Sequence, residues 1–179
     1  VKNMEQLRRV LVSGPFPGIS TGDPDLYKAF CWRFWYLISS DGGRLGVVLP
    51  RSVLNAKGST DFRMGVFAQS NNVDITTGTN TAGWIFDEAE HRYTIAFLSL
   101  KKIEADESQL LLKGPYNSLE SYRKGINKPA KRFFSEEVLQ WNETASLPLL
   151  PSDESAAVFA QLRKFPNLDL DEKDKWRVR

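Results

Sequence analysis

The residues from Tyr93 to Leu100 constrain the fold more than any other stretch. Ile95 and Phe97 stand at one parity, and Ala96, Leu98 and Leu100 at the other. A strand sends successive side chains to opposite faces. Apolar groups at both parities therefore predict an interior strand covered on both faces, as in a three-layer α/β unit. The run Arg44 to Leu49, closed by Pro50, carries the same signature and predicts a second strand, buried in a parallel sheet. Val73 to Thr76 predicts a third. Asp23-Pro24 offers a helix start. From Asp25 to Ser39, Leu26, Phe30, Phe34 and Leu37 follow helical spacing, with further aromatics on the other sides. That helix is predicted to be covered on more than one face. Ser59-Thr60-Asp61 caps another helix through about Gln69, with Phe62, Val66 and Phe67 inward.

A brief helix around residues 5–11 precedes a lead-in broken by Gly14, Pro15, Pro17, Gly18 and Gly22. The first hundred residues thus read helix, strand, helix, strand, strand, too few strands for a complete doubly wound sheet. After Lys102 the character changes. Residues 103–132 are polar and turn-rich, and residues 113–132 hold six basic side chains against one acid. Ser135 caps a short helix to Trp141. Pro148 and Pro151 break the chain, and Ser152 caps a helix through about Lys164. Three segments result: a lead-in at 1–22, an α/β body at 23–104, and a mostly helical or irregular extension at 105–179.

Composition removes most familiar chemistry. A single cysteine, Cys31, excludes an internal disulfide. With a single histidine, His91, it also leaves a zinc site short of ligands, so no metal residues are assigned. Any Ser-His-Asp or Cys-His arrangement would need His91, and nothing selects its partners. His91 reads as a surface turn residue and Cys31 as a buried small apolar group. Gly42 and Gly43 read as a turn rather than a phosphate cradle. No apolar run approaches the ~18 residues of a membrane span, so no membrane partner is predicted. The formal charge of +2 is too small to imply a polyanion partner. The chain opens at Val1 and stops at Arg179, and it is expected to be a piece of a longer protein.

The runs from Asp25 to Phe30 (DLYKAF) and from Gly42 to Leu54 (GGRLGVVLPRSVL) resemble the middle of gamma-class adenine-N6 DNA methyltransferases. Trp84 to Glu88 (WIFDE), followed by Tyr93 to Lys102, is similar to a later motif in which an aromatic precedes a long central strand. Asn142 to Pro148 (NETASLP), with Asp153-Glu154, resembles the segment leading into target recognition in type IIG restriction-modification enzymes and their phage-exclusion relatives. The resemblance covers roughly residues 22–165. The family's Gly-rich cofactor loop and its Asn-Pro-Pro-aromatic tetrapeptide are absent from these 179 residues. What is implied is the C-terminal half of a Rossmann-like S-adenosylmethionine-dependent domain at 23–104, then a linker and the start of a target-recognition region at 105–179.

On that resemblance the parent is a bacterial, cytoplasmic, site-specific adenine methyltransferase acting on double-stranded DNA. No catalytic residue lies in this chain, which alone is expected to be inactive and to bind S-adenosylmethionine weakly or not at all. Phe86 matches the aromatic that stacks on the flipped target adenine, with Trp84 as the competing candidate. Leu26 and Phe30 match positions beside the cofactor's adenine. Arg123, Lys124, Lys128, Lys131 and Arg132 are candidate phosphate contacts, and Arg51, Lys57 and Arg63 weaker ones. The remainder of the methyltransferase domain is an expected partner, and an exposed sheet edge offers a surface for a homodimer. The alternative is a non-catalytic α/β module that binds nucleic acid or a partner.

Overall fold

The computed structural model describes residues 2–103 and 108–165. In chain order its elements are α1 (Lys2–Ser13), α2 (Leu26–Leu37), β1 (Gly43–Pro50), α3 (Ser52–Asn55) and α4 (Thr60–Ala68). Then come β2 (Ser70–Thr79), β3 (Thr94–Lys102), β4 (Gln109–Tyr116), α5 (Leu119–Gly125), β5 (Lys131–Phe134), α6 (Ser135–Leu139) and α7 (Asp153–Leu162). They fall into two compact units, 1–149 and 150–179. The second holds α7, where the Ser152 hydroxyl accepts the Ser155 N–H at 3.1 Å.

The first unit is a mixed α/β fold built on a five-stranded sheet of order β1-β3-β2-β4-β5. β3 runs antiparallel to both neighbours, β2 and β4 are parallel, and β5 is antiparallel to β4. Directly opposed residues share a face. The register Leu49↔Ala96, Val47↔Leu98 and Ile75↔Leu98 therefore places one apolar layer across the sheet. Val73↔Leu110 and Leu110↔Phe133 carry that layer on to β5. Val73, Ile75, Ala96, Leu98, Leu100, Leu110 and Phe133 are all buried.

The other face is only partly covered. Ile95 is buried there, but Phe97 is half-buried and Ser99 exposed. β1 departs furthest from expectation. It is an antiparallel edge strand, with Arg44, Gly46 and Val48 exposed on its outer face. An apolar doublet such as Val47-Val48 puts one group on each parity. Sequence alone does not say whether the second face is packed within the same 179 residues. The turn-rich stretch after Lys102 also proves more regular than it reads, because β4 and β5 extend the same sheet.

In α2 the buried side chains are Lys28, Ala29, Cys31, Trp32 and Trp35. Leu26, Phe30 and Leu37 are half or more exposed. The reason lies in the lead-in loop. Lys28 Nζ donates to the carbonyls of Thr21 and Asp23, Trp32 Nε1 to Pro17 at 2.9 Å, and Tyr36 Oη to Pro15 at 3.1 Å. These donors at i, i+4 and i+8 share one helix face and bind carbonyls of a segment whose prolines and glycines form no ladder. Burial pushes the Cys31 thiol up to about 12, so it remains an inert thiol.

Candidate functional site

The connection from β2 to β3 is organised by Asn80, whose side chain is fully buried. Its amide oxygen accepts the N–H groups of Ile85 and Phe86, both at 3.0 Å. Its amide nitrogen donates to the carbonyls of Phe86 at 2.7 Å and Ala89 at 3.2 Å. All four hydrogen-bonding positions of the amide are thereby filled. The Asn80 N–H donates to the Tyr93 carbonyl at 2.8 Å and closes the base of the loop. Ala82 and Gly83 turn the chain with φ of 55° and 74°. A Cβ at Gly78 would stand 2.8 Å from Ile85 Cδ1, so the loop packs directly on the strand backbone there.

Trp84 and Phe86 receive different environments from this loop. Trp84 Nε1 donates to the Thr79 carbonyl at 2.6 Å, and its ring lies 6.0 Å from that of Tyr122 on α5. Phe86 is held by its backbone on both sides, while the residue as a whole is 47% exposed. It borders a cleft of about 740 Å³ with Pro50, Arg51, Ser52, Asn55 and Tyr93. Nothing in the sequence reading singled out Asn80. The available signal was an Asn at the end of a strand and before a Thr-Ala-Gly turn, where Asx side chains bind nearby backbone.

Arg92, also on the cleft, pairs with Glu90 at 3.1 Å, and its hydrogen bonds hold the Glu90 carboxyl below its usual range. His91 between them is exposed, as a turn residue is. Leu26 borders a different cleft, of about 660 Å³, with Met4, Leu7 and Arg8 of α1 and Tyr27 of α2. Phe30 does not line that cleft, and its ring stacks on Phe34 with centroids 5.9 Å apart. The structure thus places Leu26 and Phe86 on separate clefts.

Among the basic candidates, Arg123, Lys124, Lys128 and Arg132 are exposed and Lys131 is half-buried. Lys124 pairs with Glu120 one turn away, and Lys113 donates to the Ile126 carbonyl. Arg63 is corrected outright, because it is 2% exposed and its guanidinium is engaged within the fold. Nη1 donates to the Val53 and Ala56 carbonyls, both at 2.9 Å. Nη2 donates to Thr144 O at 2.7 Å, and Nε to Thr144 O and Ala145 O. Arg63 therefore fastens α4 to the segment 144–145, and burial brings its pKa down to about 10. The same segment is held by Asn142, whose side-chain oxygen accepts the N–H groups of Thr144 and Ser146.

Among the described residues no group of three or more His, Cys, Asp or Glu is placed to hold a metal ion. None of their helices is long and apolar enough to cross a membrane. No family model matches the chain, and no curated protein does. Several solved structures are similar in part, two of which follow. One is the methyltransferase subunit of a type I restriction-modification system from Streptococcus thermophilus, 18% identical, with a TM-score of 0.44 over 67% of this chain and 29% of that one. The other is a modification subunit assigned to a type I restriction enzyme of Vibrio vulnificus, 14% identical, with a TM-score of 0.40 over 62% and 26%. The chain spans less than a third of either protein.

Proposed function

We propose that the chain is the C-terminal half of the methyltransferase domain, with the approach to target recognition, of a site-specific DNA adenine-N6 methyltransferase in a bacterial restriction-modification or phage-exclusion system. One observation carries this reading. The aromatic that the sequence resemblance assigns to the target base, Phe86, stands exposed at a cleft while its backbone is fixed by a buried asparagine. Extruding a base costs a few kcal/mol of stacking and pairing. An aromatic face offsets that by about 1–3 kcal/mol per base. The ring must be rigidly aimed and accessible for this, and Asn80 meets the first requirement.

Within this reading the chain's own residues do limited work. Phe86 holds the extruded adenine. Leu26 and Phe30 offer adjacent apolar side chains on α2, a wall suited to an adenine ring. They fit one side of an S-adenosylmethionine pocket, with Leu26 already on a cleft. When bound, S-adenosylmethionine supplies the methyl group. The tetrapeptide that orients the attacking amino nitrogen is not among these residues. The exposed basic side chains Arg123, Lys128 and Arg132 track DNA phosphates, and the protein works in the bacterial cytoplasm on double-stranded DNA.

The test uses the parent enzyme with 2-aminopurine at the target position. Phe86→Ala is expected to reduce base extrusion and turnover while leaving cofactor binding in place. Wild-type fluorescence and turnover would reassign Phe86 to packing.

A further inference from the structure

The cleft beside Phe86 holds a charge that stacking does not explain. Arg51 follows the last residue of β1, and its N–H donates to Thr94 O at 3.0 Å, which fixes its backbone against β3. Its side chain is half-buried on the cleft wall and has no hydrogen-bond or ion-pair partner among the described residues. Arg92, the other cation of the cleft, is already paired with Glu90. No Asp or Glu lines the cleft among the described residues. The cleft volume falls in the range of about 300–1,000 Å³ typical of ligand sites. It exceeds what one stacked ring occupies, leaving room for sugar and phosphate. A guanidinium offers five donors and no acceptor, and it matches phosphate geometry bidentately.

We propose that Arg51 binds a phosphate of the DNA strand beside the nucleotide that stacks on Phe86, so that the cleft takes a deoxynucleotide by base and backbone together. The assignment rests on the reading of Phe86 as the base-stacking residue. It separates two tasks within one cleft, sequence-tolerant stacking at Phe86 and charge at Arg51. Ser52 and Asn55 on the same wall supply further polar groups for the sugar and phosphate.

The experiment titrates the full chain with a short single-stranded oligodeoxynucleotide bearing 2-aminopurine, over a series of salt concentrations. Arg51→Gln is expected to weaken binding about tenfold and to flatten the slope of log K against log salt by about 0.7, one phosphate on a single strand. Arg51→Lys should retain the wild-type slope, and its thermal midpoint guards against a folding defect. Phe86→Ala should weaken binding about 5- to 150-fold with the slope unchanged. An unchanged slope in Arg51→Gln overturns the proposal, whatever Phe86→Ala does. So does a slope that falls only in Arg123→Gln, which would move the phosphate contact to the basic stretch. Absence of binding by the wild-type chain at low salt also overturns it. If Arg51→Gln flattens the slope while Phe86→Ala binds normally, the phosphate contact stands and the stacking reading falls.

Discussion

Replacing Asn80 by Ala is the sharpest test of how the Phe86 loop is held. The substitution removes four hydrogen bonds at once, orphans the N–H groups of Ile85 and Phe86 and the carbonyl of Ala89, and leaves the Phe86 carbonyl only the Ala89 N–H at 3.3 Å. A typical intramolecular hydrogen bond contributes about 0.5–1.5 kcal/mol net, so the four bonds bound the loss at about 2–6 kcal/mol. Bonds to one side chain are not additive, which favours the lower half of that range. In a chain of this size about 1 kcal/mol moves the midpoint by roughly 2–4 °C, so a fall of roughly 4–16 °C is expected. Asn80→Asp is the discriminating control. It keeps an acceptor for both N–H groups but turns a second oxygen towards two carbonyls, so it should be no better than Ala. Thermal unfolding gives the magnitude, and amide exchange at Ile85 and Phe86 gives the location. A midpoint within 1 °C of wild type in Asn80→Ala, with Ile85 and Phe86 still protected, would refute the argument.

Other expectations follow from the same geometry. Arg63→Leu should cost about 2–5 kcal/mol by removing the guanidinium's hydrogen bonds to the carbonyls of Val53, Ala56, Thr144 and Ala145, of which Ala56 keeps the Ser59 N–H, and Arg63→Lys should restore only part of it; chemical denaturation measures both. Cys31 should resist thiol reagents at mildly alkaline pH until the protein unfolds, since its thiol is buried and pushed up to about 12; rapid labelling of the folded chain would contradict the packing of α2. Because the unfolded thiol ionises near 9 and the folded one does not, this group should subtract stability as pH rises above 9. Isothermal titration of the chain with S-adenosylmethionine should show no strong binding, and a micromolar constant would mean that Leu26 and Phe30 are not one wall of a divided pocket. Phe30→Ser and Leu37→Gln should leave stability nearly unchanged in thermal unfolding, as both side chains are exposed.

Much of the fold was legible because it rests on local pattern. The apolar run at 93–100 does fall in an interior strand, β3, though only one of its faces is fully covered, and Thr60–Ala68 does bury Phe62, Val66 and Phe67. What escaped was whatever depends on distant partners. The stripe Leu26, Phe30, Phe34 and Leu37 satisfies helical spacing as well as the true inner face does. Periodicity identifies a face without saying that it is the one turned inward. The decisive signal was the donor series Lys28, Trp32 and Tyr36, which makes sense only beside the unladdered carbonyls of Pro15, Pro17, Thr21 and Asp23. Arg63 misled for a related reason. An arginine in an amphipathic helix normally faces water, and only the return of residues 144–145 gives it carbonyls to bind.

The candidate site divides along the same line. Phe86 enters the proposal through a resemblance, in which an aromatic precedes a long strand. Its role, however, depends on geometry the motif does not contain. Phe86 and Trp84 are two residues apart and equally aromatic, yet only one presents an open ring. The difference is made by Thr79, whose carbonyl takes the indole N–H, and by Tyr122 of α5, whose ring lies against the indole. Exchanging the two aromatics would test that division of labour. Trp84→Phe deletes the donor to Thr79 and should loosen the loop by about 0.5–1.5 kcal/mol. Phe86→Trp should keep or strengthen stacking, since its exposed position has space for the larger ring. If instead Trp84→Phe abolishes base extrusion in the parent enzyme at unchanged stability, the indole and not the phenyl ring meets the base.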